Sequence, residues 1–235
     1  MKEEYALQVE NITVRYGGVI AVNGLSFNLK RGEIRGLIGP NGAGKSTVID
    51  AISGRRASTG RVQLEGRDIS TLNVIQRRRG GLSRSFQRTS VFPSMRVREQ
   101  LELAASRIKD CNVDELLIEF GLEKLQDRIC SEIGYGDQRR LDLSLAFIGK
   151  PRVLLLDEPM AGLSVEESWR LAEHLQSLTR NWGVSLLLVE HDMEIVFGIS
   201  DVVTVLESGK KIAEDKPEVV RADPHVRAAY LGSAA

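Results

Sequence analysis

The sequence predicts an α/β fold whose strand–helix core is interrupted by a helical insert. Three observations carry that expectation. Residues 39–47, GPNGAGKST, make a glycine-rich loop between a short apolar stretch and a helix start. Two continuous apolar runs, 153–156 and 184–189, are what strands buried on both faces require. Over 97–147 the apolar residues instead recur every three or four positions, the period of a helix.

Taken in order, residues 5–14 alternate apolar and polar side chains (Leu7, Val9, Ile12, Val14), a strand signature, and Tyr16-Gly17-Gly18 turns the chain. Residues 21–29 read as a second strand, closed by Lys30-Arg31-Gly32, and 33–38 as a short buried strand leading into the loop. A helix starts at 46–52. Residues 54–68 hold small strands around the turn Glu65-Gly66-Arg67. Through Ser85 the chain is polar and rich in arginine, and Arg77-Arg78-Arg79 reads as a solvated helix face rather than an RNA contact. In the helical stretch, Leu101, Leu103, Ala104, Val113, Leu116, Leu117 and Phe120 mark the apolar face, and Gly121 suits a helix C-terminus. A helix over 165–179 joins the two apolar runs. Residues 202–206 and 210–213 form a hairpin around Ser208-Gly209, and 217–231 read as one helical tail.

The 235 residues suffice for one large domain or two small ones. Lysine plus arginine equals aspartate plus glutamate at 32 each, whereas dedicated nucleic-acid binders carry a basic excess. No nucleic-acid partner is expected. Cys111 and Cys130 lack metal-ligand spacing and are expected to be thiols. The first residues are polar and acidic, unlike a signal peptide, and no apolar run approaches the ~20 residues that span a bilayer. Any role at a membrane is therefore expected to run through a partner.

The loop fits G-x-x-x-x-G-K-[ST], with Gly39, Gly44, Lys45 and Ser46 at the fixed positions. Around Pro40, Asn41, Gly42 and Ala43 the backbone can curl so that N–H groups point inward, and the helix beginning near Ser46 and Thr47 adds the positive end of its dipole. Lys45 would reach the β- and γ-phosphates of a nucleoside triphosphate, and the Ser46 hydroxyl would sit on Mg²⁺. The run 153–156 delivers Asp157 to the C-terminal end of a strand, where a carboxylate can hold Mg²⁺. Glu158 follows, placed to orient or deprotonate an attacking water, with Pro159 behind it.

Phosphate loop, glycine motif at 133–137 and Asp157-Glu158-Pro159, in this order, resemble the ATP-binding subunit of an ABC transporter over essentially the whole chain. Within that family, residues 134–141, 189–193 and 223–232 look like the ATPases of branched-chain amino acid importers. The resemblance implies a P-loop NTPase core with a mixed sheet, a small antiparallel β subdomain and an inserted helical subdomain. It implies a single domain over 1–235, with 1–87 and 150–235 as nucleotide-binding core and 88–149 as the helical subdomain. It also implies that Tyr16 stacks on adenine, that Gln87 ligates Mg²⁺ and senses the membrane partner, and that His191 contacts the γ-phosphate. Catalysis would then rest on Glu158, His191, Gln87 and Lys45, and the metal on Ser46, Gln87 and Asp157. In a head-to-tail dimer, Gly134, Tyr135, Gly136 and Asp137 would close over the ATP of the opposite subunit. Three positions depart from the family pattern. Gly134 lacks the usual serine hydroxyl, Asp137 brings a negative charge unless it caps its helix, and Ser164 stands where an aspartate is usual.

The implied cofactors are ATP and Mg²⁺. The implied partners are transmembrane permease subunits, a second ATPase subunit (sister chain or second copy) and, indirectly, a solute-binding protein, at the cytoplasmic face of the membrane. The alternatives are the ATPase of a lipid or lipopolysaccharide exporter, a soluble non-transport ABC ATPase, or a phosphotransferase using the same loop. Tyr230-Leu231-Gly232 favours the importer.

Overall fold

The computed structural model describes residues 4–85, 89–108 and 111–231. Strands β1 (Tyr5–Tyr16) and β2 (Val19–Lys30) open the chain as antiparallel partners, followed by β3 (Ile34–Ile38) and α1 (Lys45–Ser53). Next come β4 (Thr59–Leu64), β5 (Arg67–Asp68), α2 (Val74–Arg79) and β6 (Leu82–Arg84). The helical stretch contains α3 (Val97–Ala105), α4 (Val113–Glu119) and α5 (Tyr135–Phe147). The remainder alternates: β7 (Val153–Asp157), α6 (Val165–Trp182), β8 (Ser185–Val189), α7 (Met193–Ile199), β9 (Val202–Glu207), β10 (Lys210–Asp215), α8 (Pro217–Ala222) and α9 (Pro224–Leu231).

The strands make two sheets. One is antiparallel, in the order β2-β1-β4-β5; the other runs β10-β9-β3-β8-β7-β6 and is parallel except at β10. The expected mixed sheet, antiparallel sheet and inserted helices are all present. The apolar runs at β7 and β8 follow from two cores that meet at the mixed sheet. Leu154, Leu156, Leu186 and Leu188 pack with residues of α3 to α6 on one face. Val153, Leu155, Leu187 and Val189 pack with α1 and the antiparallel sheet on the other. Alternate residues of a strand point to opposite faces, so both sets must be apolar. Ile38, Val203 and Val205 build a third cluster with α7, α8 and α9.

Three expectations are corrected. The polar stretch before Ser85 contains β6, which pairs in parallel with β7; its buried Ser83 donates to the Ala146 carbonyl at 2.7 Å, which makes a polar residue tolerable inside the sheet. Arg77 does not face solvent: it is 4% exposed and reaches back to α1. Of the three arginines only Arg79 is exposed, while half-buried Arg78 donates to the Ile148 carbonyl at 2.7 Å. The tail is two helices, because Asp223 precedes a proline and is held in extended backbone (ψ 121), ending α8. Gly121, with φ 61, follows α4 and returns its N–H to the Ile118 carbonyl at 3.0 Å, the left-handed geometry expected after a helix. Both cysteines are free thiols. Among the described residues, no helix is long and apolar enough to cross a membrane.

Candidate active site

The phosphate loop leaves β3, which lies between β8 and β9. Its conformation needs glycine at two points. Gly39 has φ 154, and a Cβ there would sit 2.2 Å from the Leu206 carbonyl oxygen on β9. Gly44 has φ 103, and its Cβ would sit 2.6 Å from the Ala21 carbonyl oxygen. The loop is tied down from inside by Ala43 N–H to the Pro40 carbonyl (3.1 Å), and from outside by Gly209 N–H to the Ala43 carbonyl (3.0 Å). α1 then starts at Lys45 with no side-chain cap, so its first N–H groups face the loop with the positive end of the helix dipole. Gly39→Ala is expected to weaken binding of a fluorescent ATP analogue by about 5- to 150-fold, the factor to which strain of about 1–3 kcal/mol in the loop corresponds. An affinity within twofold of the unaltered chain would show that the Leu206 contact yields without moving the loop.

Residues 41–47, together with Glu158 and His191, line a cavity of about 230 Å³. Lys45 is buried, and its ammonium donates to the carbonyls of Gly39 (2.6 Å) and Pro40 (3.1 Å). Burial pushes its pKa below the ordinary value, opposed by the carboxylates of Glu158 and Asp157. The Ser46 hydroxyl donates to Asp157 Oδ1 at 3.3 Å. Burial raises the Asp157 pKa above the usual carboxylate range; Arg84, 3.2 Å from Oδ2, opposes that, and the charge of Glu158 adds to it. Hydroxyl and carboxylate oxygens side by side fit Mg²⁺, a hard cation that is bound by few protein groups together with phosphate and water. Among the described residues, no group of three His, Cys, Asp or Glu forms a protein-only metal cage.

Glu158 has φ 51, unusual for a residue with a side chain, and its N–H is fixed by the Val189 carbonyl at 2.8 Å. Oε1 lies 2.7 Å from Nε2 of half-exposed His191. Behind them, buried Glu190 accepts from the N–H groups of Met160 (2.7 Å) and His191 (3.1 Å), which anchors the turn that carries His191. Sequence reasoning gave no role to Arg84 or Arg139. Arg84 reaches both Asp157 and Asp50, and Arg139 holds the Glu158 carbonyl at 2.8 Å. Nothing in the local pattern separates either from a surface arginine.

Other predicted site residues lie elsewhere. Tyr16, at the end of β1, is partly exposed with the Arg56 guanidinium 3.8 Å from its ring centroid, and it does not line the cavity. Gly134 caps α5, and the Tyr135 hydroxyl donates to the Ala161 carbonyl at 3.1 Å. Gly136 and Asp137 line a separate cavity of about 280 Å³ beside Arg140, Arg170 and His174. The capping alternative for Asp137 does not hold: its carboxylate pairs with Arg140, one turn along α5. Ser164 caps α6 in a reciprocal box with Glu167, so it keeps the helix-starting role that an aspartate would fill. Gln87 lies outside the described residues.

The family model described as ABC transporter matches residues 22–161. The chain belongs to the ABC transporter family. It is an ATPase of that family, and a second model, branched-chain amino acid ATP-binding cassette transporter, matches residues 210–235. The chain is 34% identical to the high-affinity branched-chain amino acid transport ATP-binding protein BraF of Pseudomonas aeruginosa, over 97% of this chain and 98% of that one. It is 35% identical to LivG of Escherichia coli K12, another high-affinity branched-chain amino acid transport ATP-binding protein, at the same coverage. Among solved structures, the ADP conformation of MJ1267, an ATP-binding cassette of an ABC transporter, superposes with a TM-score of 0.89 at 28% identity, covering 98% of this chain and 100% of that one. The structure of cbiO1 from Clostridium perfringens, part of the ABC transporter complex cbiONQ, gives a TM-score of 0.85 at 27% identity, with 98% and 99% covered.

Proposed function

We propose that this chain is the ATP-binding and hydrolysing subunit of an importer for branched-chain amino acids or a related small polar or organic-acid solute. The observation that carries the reading is the convergence of Lys45, Ser46, Glu158 and His191 on one cavity with Asp157 behind it. The near full-length likeness to BraF and LivG supports the substrate class. Residues 1–87 and 150–235 form the nucleotide core, and 88–149 the helical subdomain that presents the signature residues 134–137. Tyr16 takes the adenine. The loop 39–47 takes the phosphates, and Ser46, Asp157 and Gln87 hold Mg²⁺, which neutralises phosphate charge when bound.

Glu158 accepts a hydrogen bond from the attacking water and directs it in line at the γ-phosphorus. His191, already paired with Glu158, orients the carboxylate and contacts the γ-phosphate. Lys45 and the loop N–H groups stabilise the charge that develops on the phosphate oxygens. Gly136 and Asp137 line a different cavity from the phosphate loop, and on this reading a complete site takes a second ATPase subunit, head to tail. The membrane subunits dock on the loop 89–93, where Phe92 is 58% exposed, and the ATPase sits peripherally at the cytoplasmic face. The test is Mg-ATP hydrolysis by the purified chain over a range of protein concentrations, with and without a sister ATPase subunit. Turnover per molecule is expected to climb with concentration or on adding the sister. Turnover independent of both would remove the two-chain site, and failure to bind ATP would remove the function.

A further inference from the structure

Arg139 on α5 is fully buried, and a buried guanidinium must be compensated on every side. Its Nε donates to the Pro159 carbonyl at 2.7 Å and its Nη2 to the Glu158 carbonyl at 2.8 Å. Nη1 faces Asp142 Oδ2 at 3.4 Å. A planar fork thus grips two consecutive carbonyls at the point where Glu158 holds its left-handed φ of 51. Backbone in that region persists only where its surroundings over-determine it. Asp142 is itself 5% exposed, and its second oxygen accepts the N–H of Ser90 at 2.9 Å. Ser90 belongs to the loop that carries exposed Phe92, and Ser90 and Asp142 share the wall of a cleft of about 270 Å³. An unbroken chain of contacts therefore runs from the loop 89–93 through Asp142 and Arg139 to the peptide that sets Glu158.

We infer that Arg139 is a positioning residue for Glu158, and that the Arg139–Asp142 pair links the placement of that carboxylate to the loop 89–93. The inference rests on the nucleotide reading above. A shift of the loop moves Asp142, Asp142 moves the guanidinium, and the guanidinium tilts the Glu158 peptide. By reciprocity, occupation of the nucleotide site changes the loop. Lysine cannot replace the fork, because a point-like ammonium does not hold two carbonyls and a carboxylate in one plane.

The experiment is hydrogen exchange followed by mass spectrometry on the full chain, with and without Mg-ATP, in the unaltered protein, Arg139→Lys and Asp142→Asn. Fluorescent-ATP titrations and thermal melts run alongside. Asp142→Asn keeps the shape and an acceptor for Ser90 but removes the charge facing Arg139; Arg139→Lys keeps the charge and gives a second route should the first variant fold poorly. In the unaltered chain, Mg-ATP is expected to slow exchange in the peptide covering 89–93 at least threefold. In a folded variant that response should vanish while ATP affinity stays within twofold. A loop that responds equally in the variants, or that ignores Mg-ATP in the unaltered chain, would overturn the link. Absence of ATP binding by the unaltered chain would instead overturn the nucleotide reading itself.

Discussion

Glu158→Gln is expected to lower steady-state ATP turnover by about 10²–10⁴-fold, the range that a positioned proton acceptor contributes. Glutamine matches the shape of glutamate, keeps the backbone N–H on the Val189 carbonyl and can still bond His191. It cannot take a proton or attract the water as a carboxylate does. Binding should move the other way. Glu158 and Asp157 place negative charge near Lys45, on the wall that must receive a triphosphate, and removing one carboxylate relieves that repulsion. ATP affinity should therefore be unchanged or tighter, so the loss falls on turnover alone. A titration with fluorescent ATP and a phosphate-release assay separate the two. A fall smaller than tenfold would move the proton acceptor elsewhere, and a parallel loss of affinity would make Glu158 a binding residue.

Arg77→Met is expected to destabilise the fold by about 3 kcal/mol, the scale of losing hydrogen bonds to a charged group whose acceptors stay buried. The guanidinium donates to four carbonyls: Leu72 (2.8 Å), Ser70 (2.8 Å), Ala51 (3.0 Å) and Ile52 (2.7 Å). The last two lie in the final turn of α1, where the dipole end is negative; Ala51 also accepts the Gly54 N–H at 3.1 Å. Methionine fills much of the same space but donates nothing. For a chain of this length the melting temperature should fall by roughly 6–12 °C. A fall under about 2 °C would mean that water replaces the arginine at those carbonyls, which its 4% exposure argues against.

The contrast between Glu158 and Arg77 shows what could be read from the chain alone. Strands β7 and β8 were legible because each face of the sheet has its own apolar core, and that demand leaves an unbroken run in the sequence. The phosphate loop was legible because Gly39 and Gly44 occupy backbone that side chains rarely adopt, and that constraint fixes residue types at set spacings. Arginines were not legible. Arg77 reads as surface charge and nothing in the sequence marks Arg84 or Arg139, yet each is buried or nearly so against carbonyls or carboxylates, some of them 19 to 73 positions away. Strand β6 was missed for the same reason: Ser83 is acceptable there only because Ala146, 63 positions later, offers a carbonyl. Asp137 could be recognised as a helix-start residue, but its pairing with Arg140 rather than with a backbone N–H depends on side-chain conformation.

The phosphate loop has a late-made floor. Its motif ends at Thr47, but β3 is flanked on both sides by strands that come after residue 184, and the loop rests on Leu206 and is held by the Gly209 amide. A nascent chain displays the whole motif early in its synthesis, well before the β9–β10 hairpin that supplies these contacts has left the ribosome. Capture of nucleotide is thereby expected only after β9 and the turn at Gly209 have been made. A prematurely terminated product ending before Gly209 would carry every residue of the motif but lack the amide that holds the Ala43 carbonyl.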